Sequence, residues 1–221
     1  MIAIIDYGMG NLRSVAKALE NLGAEIKITS SPKVITSAQG VVLPGVGAMP
    51  DAMKALVKEK LVKPIEKVIS ADKPFLGICL GLQLLFETSK EGGGSKGLGI
   101  FAGSVPRFVF SKPRTANDER LTALKVPHMG WNQIKQTDSR WQMADSSKNI
   151  LSGIEDNSYV YFVHSYYAKP KDRTLVATTT DYGIEFCSSI ARGNLFACQF
   201  HPEKSQKLGL ALIANFLGWT P

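Results

Sequence analysis

Lys73-Pro74-Phe75-Leu76-Gly77-Ile78-Cys79-Leu80-Gly81-Leu82-Gln83 is an apolar run that ends at a cysteine with a glycine two residues away on each side. This is the pattern of a nucleophile elbow, in which a buried strand, here Phe75 to Ile78, turns sharply into a helix, here Leu80 to Glu87. The residue at the bend is forced into a strained, exposed conformation, and the flanking glycines make room for it. A thiol so placed sits at a helix N-terminus, where the macrodipole and unpaired N–H groups favour the thiolate. The competing reading is a core cysteine at the end of a strand, since cysteine is among the most buried residue types.

Upstream of the elbow, apolar runs alternate with helical patterns: Ile2 to Ile5, a helix from Leu12 to Leu22, Ala24 to Thr29, Val41 to Leu43, and helices through Ala52 to Ile69. Such alternation implies a parallel sheet with helical crossovers, whose Gly-rich loops gather at the carboxyl edge where open α/β folds place their sites. After Glu87 the character changes. Gly92-Gly93-Gly94-Ser95 reads as a flexible loop. Leu98 to Phe101, Val105 to Phe110, Leu124 to Val126 and Met129 to Ile134 read as strands of a hairpin-rich, more antiparallel region. Further runs follow at Ser158 to Val163, Thr174 to Thr179, Ile184 to Ile190 and Asn194 to Phe200, with Arg192-Gly193 as a turn. Polar Ser111 to Leu121 reads as an exposed loop, and Ser205 as the N-cap of a closing amphipathic helix that runs to Leu217. With no internal repeat and no interdomain linker, residues 1–221 are expected to form one domain.

At 44% hydrophobic and 20% charged residues the chain reads as a soluble globular protein with a substantial core. Three widely spaced cysteines, Cys79, Cys187 and Cys198, argue against a disulfide framework and for a reducing, cytoplasmic setting. The start of the chain lacks the basic leader and the long apolar run of a signal peptide, and no stretch reaches membrane-spanning length. Neither a CxxC nor a Cys/His cluster suggests zinc, and no cofactor is expected. The net charge of +7 is scattered: Lys54, Lys58, Lys60, Lys63 and Lys67 fit a solvated helix face better than a nucleic-acid surface. Gly8-Met9-Gly10 lies between a strand and a helix, but Arg13 stands where a dinucleotide-binding loop needs its third glycine.

A thiol nucleophile needs a base, and the chain has three histidines, His128, His164 and His201. His164 reads as a buried strand histidine. His201 ends an apolar run and is followed by Pro202 and Glu203, so that in an extended segment base and carboxylate share one face. A carboxylate there fixes the ring tautomer and stabilises the imidazolium, as in other arrangements of nucleophile, base and orienting acid.

The elbow together with His201-Pro202-Glu203 resembles the class I, triad-type glutamine amidotransferases over nearly the whole chain. Five further stretches resemble the glutaminase subunits of imidazole glycerol phosphate synthases: Asp6 to Ser14, Leu43-Pro44-Gly45-Val46-Gly47-Ala48, Pro127-His128-Met129-Gly130-Trp131-Asn132, Tyr161 to Tyr166, and His201 to Ser205. The resemblance implies a three-layer, flavodoxin-like α/β fold with a mostly parallel sheet flanked by helices and an antiparallel hairpin region. It implies that Cys79 attacks the amide of L-glutamine, that His201 and Glu203 complete the triad, and that backbone N–H groups of Leu80 and Val46 form an oxyanion hole. By the same resemblance Gly47, Gln83, Ser165 and Tyr166 bind substrate. Asn11, Trp131, Tyr161 and Lys204 face a partner, a cyclase subunit with a (β/α)8 barrel that forms a heterodimer with this chain and receives the ammonia for histidine biosynthesis. A glutaminase serving a different ammonia-dependent synthase is the alternative. Ser111 to Leu121 is longer than the resemblance leads one to expect.

Overall fold

The computed structural model describes residues 1–110, 124–137 and 149–219. The Ser111 to Leu121 loop lies outside the described residues. The first part of the chain alternates as its hydrophobic pattern dictates: β1 (Ile2–Ile5), α1 (Leu12–Asn21), β2 (Ile26–Thr29), α2 (Pro32–Ser37), β3 (Gly40–Gly45), α3 (Met49–Lys58), α4 (Val62–Ser70) and β4 (Phe75–Cys79). Then follow a single turn of helix, α5 (Leu80–Gln83), and the strands β5 (Phe86–Ser89), β6 (Ser95–Lys96) and β7 (Phe101–Val105). The remainder supplies β8 (His128–Gln136), β9 (Ser158–His164), β10 (Lys169–Pro170), β11 (Val176–Asp181), β12 (Glu185–Arg192), β13 (Leu195–Cys198) and a closing helix α6 (Gln206–Leu217).

The main sheet has nine strands in the order β2-β1-β3-β4-β13-β12-β11-β8-β9. Pairings from β2 to β13 are parallel and those from β13 to β9 antiparallel, so the sheet is evenly mixed rather than mostly parallel. A second sheet, β10-β7-β5-β6, sits on one face. Successive side chains of β1 point to opposite faces. Ala3 and Ile5 join the core with Leu56 of α3, Ile65 of α4 and Phe86 of the second sheet. Ile2 and Ile4 join the opposite core with Leu19 of α1 and Phe216 of α6. Large side chains such as Phe75, Phe196 and Phe216 are fully buried, each contributing about 1.5–3 kcal/mol by removal from water.

Several local expectations change. The helix after Cys79 stops at Gln83 instead of reaching Glu87, because Phe86–Ser89 pairs with β6 and β7 and Phe86 packs on the Phe101 ring. Gly92 to Ser95 is part of a 3-10 turn (Glu91–Gly93) running into β6, not a featureless loop. Leu124 to Val126 is not a strand, and between Val105 and Phe110 only Arg107 makes a bridge, to Tyr166. Ser205 stands at the N-cap position of α6 but does not cap it. Its hydroxyl donates to the His201 carbonyl at 2.7 Å and accepts from the Tyr161 N–H at 3.0 Å, tying the loop after β13 to β9.

Candidate active site

Cys79 ends β4 with φ +55° and ψ −104°, a positive-φ backbone at a residue with a side chain, which is the strained bend that the sequence predicts, but the residue is buried rather than exposed, because the loops that form the cavity close over it. The glycines around it are sterically required. A Cβ on Gly81 would lie 2.0 Å from the Leu43 carbonyl oxygen, and one on Gly77 would lie 2.8 Å from the Ala197 Cβ. The first turn after the nucleophile therefore presses directly on β3. Because α5 is one turn long, the macrodipole behind the thiol is weaker than the sequence implied.

His201 arrives from β13. Its N–H donates to the Tyr161 carbonyl at 2.9 Å, and a 3-10 turn at Pro202–Lys204 folds Glu203 back toward it. Nδ1–H of His201 donates to Glu203 Oε1 at 2.8 Å, with both side chains almost fully buried. The turn, not an extended segment, brings base and carboxylate together. Burial opposes the imidazolium, but the Cys79 sulfur and then the Glu203 carboxylate outweigh it, raising the ring from 6.5 to about 10. At neutral pH this ring is a cation.

The two other histidines take the opposite state. His128 Nδ1 and His164 Nε2 are 2.9 Å apart, and His164 Nδ1 lies 2.8 Å from the Tyr166 carbonyl, which can only accept. His164 thus carries its proton on Nδ1, and its Nε2 accepts from His128. Burial pushes His128 down to about 4 and His164 to about 3. The expectation of His164 as a buried strand histidine agrees with this geometry.

A cavity of about 370 Å³ opens over the elbow. Cys79, His201, Leu80, Val46, Gly47, Gln83, Ser165 and Tyr166 all line it, so every residue predicted for nucleophile, base, oxyanion hole or substrate borders it. Behind the Pro44-Gly45-Val46 loop the buried Tyr7 hydroxyl donates to the Pro44 carbonyl at 3.0 Å, and burial followed by the nearby Cys79 sulfur raises that phenol. Glu91 also lines the cavity, with Oε2 accepting from the Met49 N–H at 2.7 Å. No sequence signal marked it, a lone acid beside a glycine run. Gln199, fully buried, reaches the Cys79 sulfur at 3.6 Å. It lies in the bend between the end of β13 and His201, and no sequence signal marked it.

None of the predicted partner residues lines this cavity, but β9, which lends it Val163, also carries Tyr161. On β8 the odd positions Met129, Trp131 and Gln133 are exposed, while His128 and Ile134 are buried. Trp131 meets Tyr161 of β9 edge to face at 6.1 Å, and Lys204 Nζ lies 5.9 Å from the Tyr161 ring. Asn11 precedes α1, which packs on the 3-10 turn that carries Lys204. Met129 and Tyr159, 62% and 58% exposed, extend this apolar face beyond what the sequence singled out.

A cysteine at a strained strand-to-helix bend, facing a histidine held by a glutamate, on a mixed sheet covered by helices, defines a thiol-dependent amidohydrolase of the glutamine amidotransferase kind. The glutamine amidotransferase class-I family matches residues 3–218, and the chain belongs to it. Along its full length the chain is 50% identical to imidazole glycerol phosphate synthase subunit HisH of Aromatoleum aromaticum, covering 99% of that protein. It is 50% identical to the HisH of Geobacter metallireducens over 97% of this chain and 96% of that one. PurLQS of Thermotoga maritima shares the fold, with a TM-score of 0.69 at 17% identity over 98% of this chain and 96% of that one. Within the class, then, this chain falls among the HisH subunits, the glutaminase subunits of imidazole glycerol phosphate synthase, and it is an enzyme that works with a partner.

Proposed function

We propose that Cys79, His201 and Glu203 perform the glutaminase reaction and that the ammonia passes across the β8–β9 face to a cyclase subunit built on a (β/α)8 barrel. The observation that carries this reading is the buried His201 ring, held by Glu203 at 2.8 Å and bordering the same cavity as Cys79. The Cys79 sulfur attacks the side-chain amide carbon of L-glutamine, and the carbonyl oxygen takes up the negative charge. Backbone N–H groups of Leu80 and Val46 stabilise that oxyanion, each donor being worth ~2.7–4 kcal/mol in comparable sites. His201 gives its proton to the leaving nitrogen, ammonia departs, and a thioester remains. The now neutral ring takes a proton from water, whose oxygen attacks the thioester. Collapse of the second tetrahedral intermediate expels the sulfur as thiolate and leaves glutamate.

Substrate recognition falls to the rest of the cavity. Glu91 brings a carboxylate suited to the α-ammonium group, and Gly47, Gln83, Ser165 and Tyr166 surround the remainder. Trp131, Tyr161, Lys204 and Asn11 form the docking face, since an exposed tryptophan against a half-buried tyrosine, rimmed by a cation, has the make-up of an interface hot spot. Val163 of β9 borders the cavity while Tyr161, on the same face of that strand, lies in this patch, so ammonia leaving Cys79 has a short path to it. Residues 1–221 act as one cytoplasmic domain, a setting that three free cysteines support. Among the described residues no helix is long and apolar enough to cross a membrane.

The test is ammonia release from glutamine by the chain alone, then with the barrel subunit and its nucleotide ligand. Turnover is expected to rise strongly on complex formation and to vanish in Cys79→Ala. Full turnover without the partner, or activity retained by Cys79→Ala, overturns the reading.

A further inference from the structure

Cys79 has a second side-chain neighbour besides His201. Gln199 is fully buried, its N–H is fixed to the Ser188 carbonyl at 2.8 Å, and its side-chain Nε2 lies 3.6 Å from the Cys79 sulfur. Its Oε1 accepts from Gln83 Nε2 at 2.9 Å, and Gln83 Nε2 also donates to the Tyr166 carbonyl at 3.0 Å. The direction of this chain is set by its far end. A backbone carbonyl only accepts, so Gln83 must turn its NH₂ group toward Tyr166. Both protons of that group are then committed, the second to Gln199 Oε1. Gln199 is left with one orientation, in which its own NH₂ group meets the sulfur.

We propose that Gln199 is a positioning residue for the nucleophile: a buried N–H donor, aimed by Gln83 and the Tyr166 carbonyl, that orients the Cys79 sulfur and favours its anionic form. Resting on the reading of Cys79 as nucleophile, this assigns the sulfur a donor independent of His201. The arrangement takes over work that a one-turn helix does poorly, since a donor to a buried anion acts at short range in a low dielectric. It also gives Gln83 a double duty. With both its protons engaged toward Tyr166 and Gln199, only its Oε1 remains to receive a donor from substrate, and the amide that grips substrate is the one that aims Gln199.

The experiment follows the rate of Cys79 alkylation by iodoacetamide against pH in the full-length chain, with Cys79→Ala as the background for the buried Cys187 and Cys198. Gln199→Met keeps the shape and removes the donor. Its alkylation midpoint is expected to move up by about one pH unit, with roughly tenfold slower alkylation at neutral pH. Gln83→Met, which leaves Gln199 in place and frees its amide to turn, is expected to move the midpoint the same way by less. The other titratable groups acting on the sulfur, His201, Tyr7 and Cys198, remain unchanged in both variants. Circular dichroism and the urea midpoint report folding. A folded Gln199→Met with the wild-type midpoint overturns the proposal. If that variant does not fold, an unmoved midpoint in Gln83→Met does so. Failure of the glutaminase reading shows itself separately, as wild-type complex releasing no ammonia from glutamine.

Discussion

Two buried histidine sites lie close together in this protein and differ in charge. His201 is a cation at neutral pH, whereas His128 and His164 are neutral down to about pH 4 and 3. Burial does not separate them, for all three rings are 6% exposed or less. The difference is the company each ring keeps. His201 lies between a sulfur and a carboxylate, while His128 and His164 hold each other, a backbone carbonyl and the Asn132 amide. Desolvation pushes every buried imidazole toward neutrality, and a bonded anion is what reverses it.

Removing the ring at the charged site has the largest expected effect. His201→Asn deprives the leaving nitrogen of its acid and the water of its base, and ammonia release by the complex should fall by ~10⁴-fold or more. Activity within tenfold of wild type would mean that the cationic site is structural, like the neutral one. Glu203→Gln leaves the ring and takes away its anion, which brings His201 closer to its neutral cousins. A loss of ~10²- to 10⁴-fold is expected, with the alkaline limb of the pH–rate profile moving down. A profile of unchanged position would show that the carboxylate does not set the state of the ring.

These contrasts also show where the sequence could be read and where it could not. The strand-elbow-helix run and the alternation before it follow from local pattern, so β1 to β4 and the position of Cys79 were legible. The end of α5 was not, because Leu84 to Glu87 suits a helix, while Phe86–Ser89 becomes a strand only by pairing with segments that lie later in the chain. Ser205 looked like a cap because the local signal is strong, yet its hydroxyl serves two backbone groups on and near β9. Cys79, His201 and Glu203 were legible as residue types at telling positions, and the fold brings them together. Glu91 and the Gln83–Gln199 pair depend on contacts between distant segments, Gln83 and Gln199 being 116 residues apart, and no single stretch announces them.

The charged site should give way at alkaline pH. A ring raised from 6.5 to about 10 contributes stability that is fully present below pH 6.5 and is lost as pH rises through about 10. Ammonia release should fall over the same upper range as the acid is titrated away, and the urea midpoint should decline from pH 7 to pH 10. A flat midpoint across that range would leave His201 no more cationic when folded than when unfolded.

The neutral site should give way on the acid side, with the smallest effect of the four. Between pH 6.5 and 5 the unfolded chain takes up a proton at each of His128 and His164, whereas the folded chain does not until about pH 4 and 3. Stability therefore falls with falling pH, each histidine adding a slope of up to ~1.4 kcal/mol per pH unit. His201 contributes little in this window and with the opposite sign, its folded ring staying protonated while its unfolded ring goes from half to almost fully protonated. The double variant His128→Phe with His164→Phe removes both titrating rings. It also leaves the Asn132 amide and the Tyr166 carbonyl each with one partner fewer, so it should be less stable at pH 7. Its urea midpoint should nevertheless vary less between pH 6.5 and 5 than that of the wild type, because the stability it lacks at neutral pH is separate from the protons it no longer refuses. Equal slopes in the two proteins would mean that the neutral rings pick up protons in the folded state as readily as in the unfolded one, and the contrast with His201 would then be one of contacts without a difference in charge.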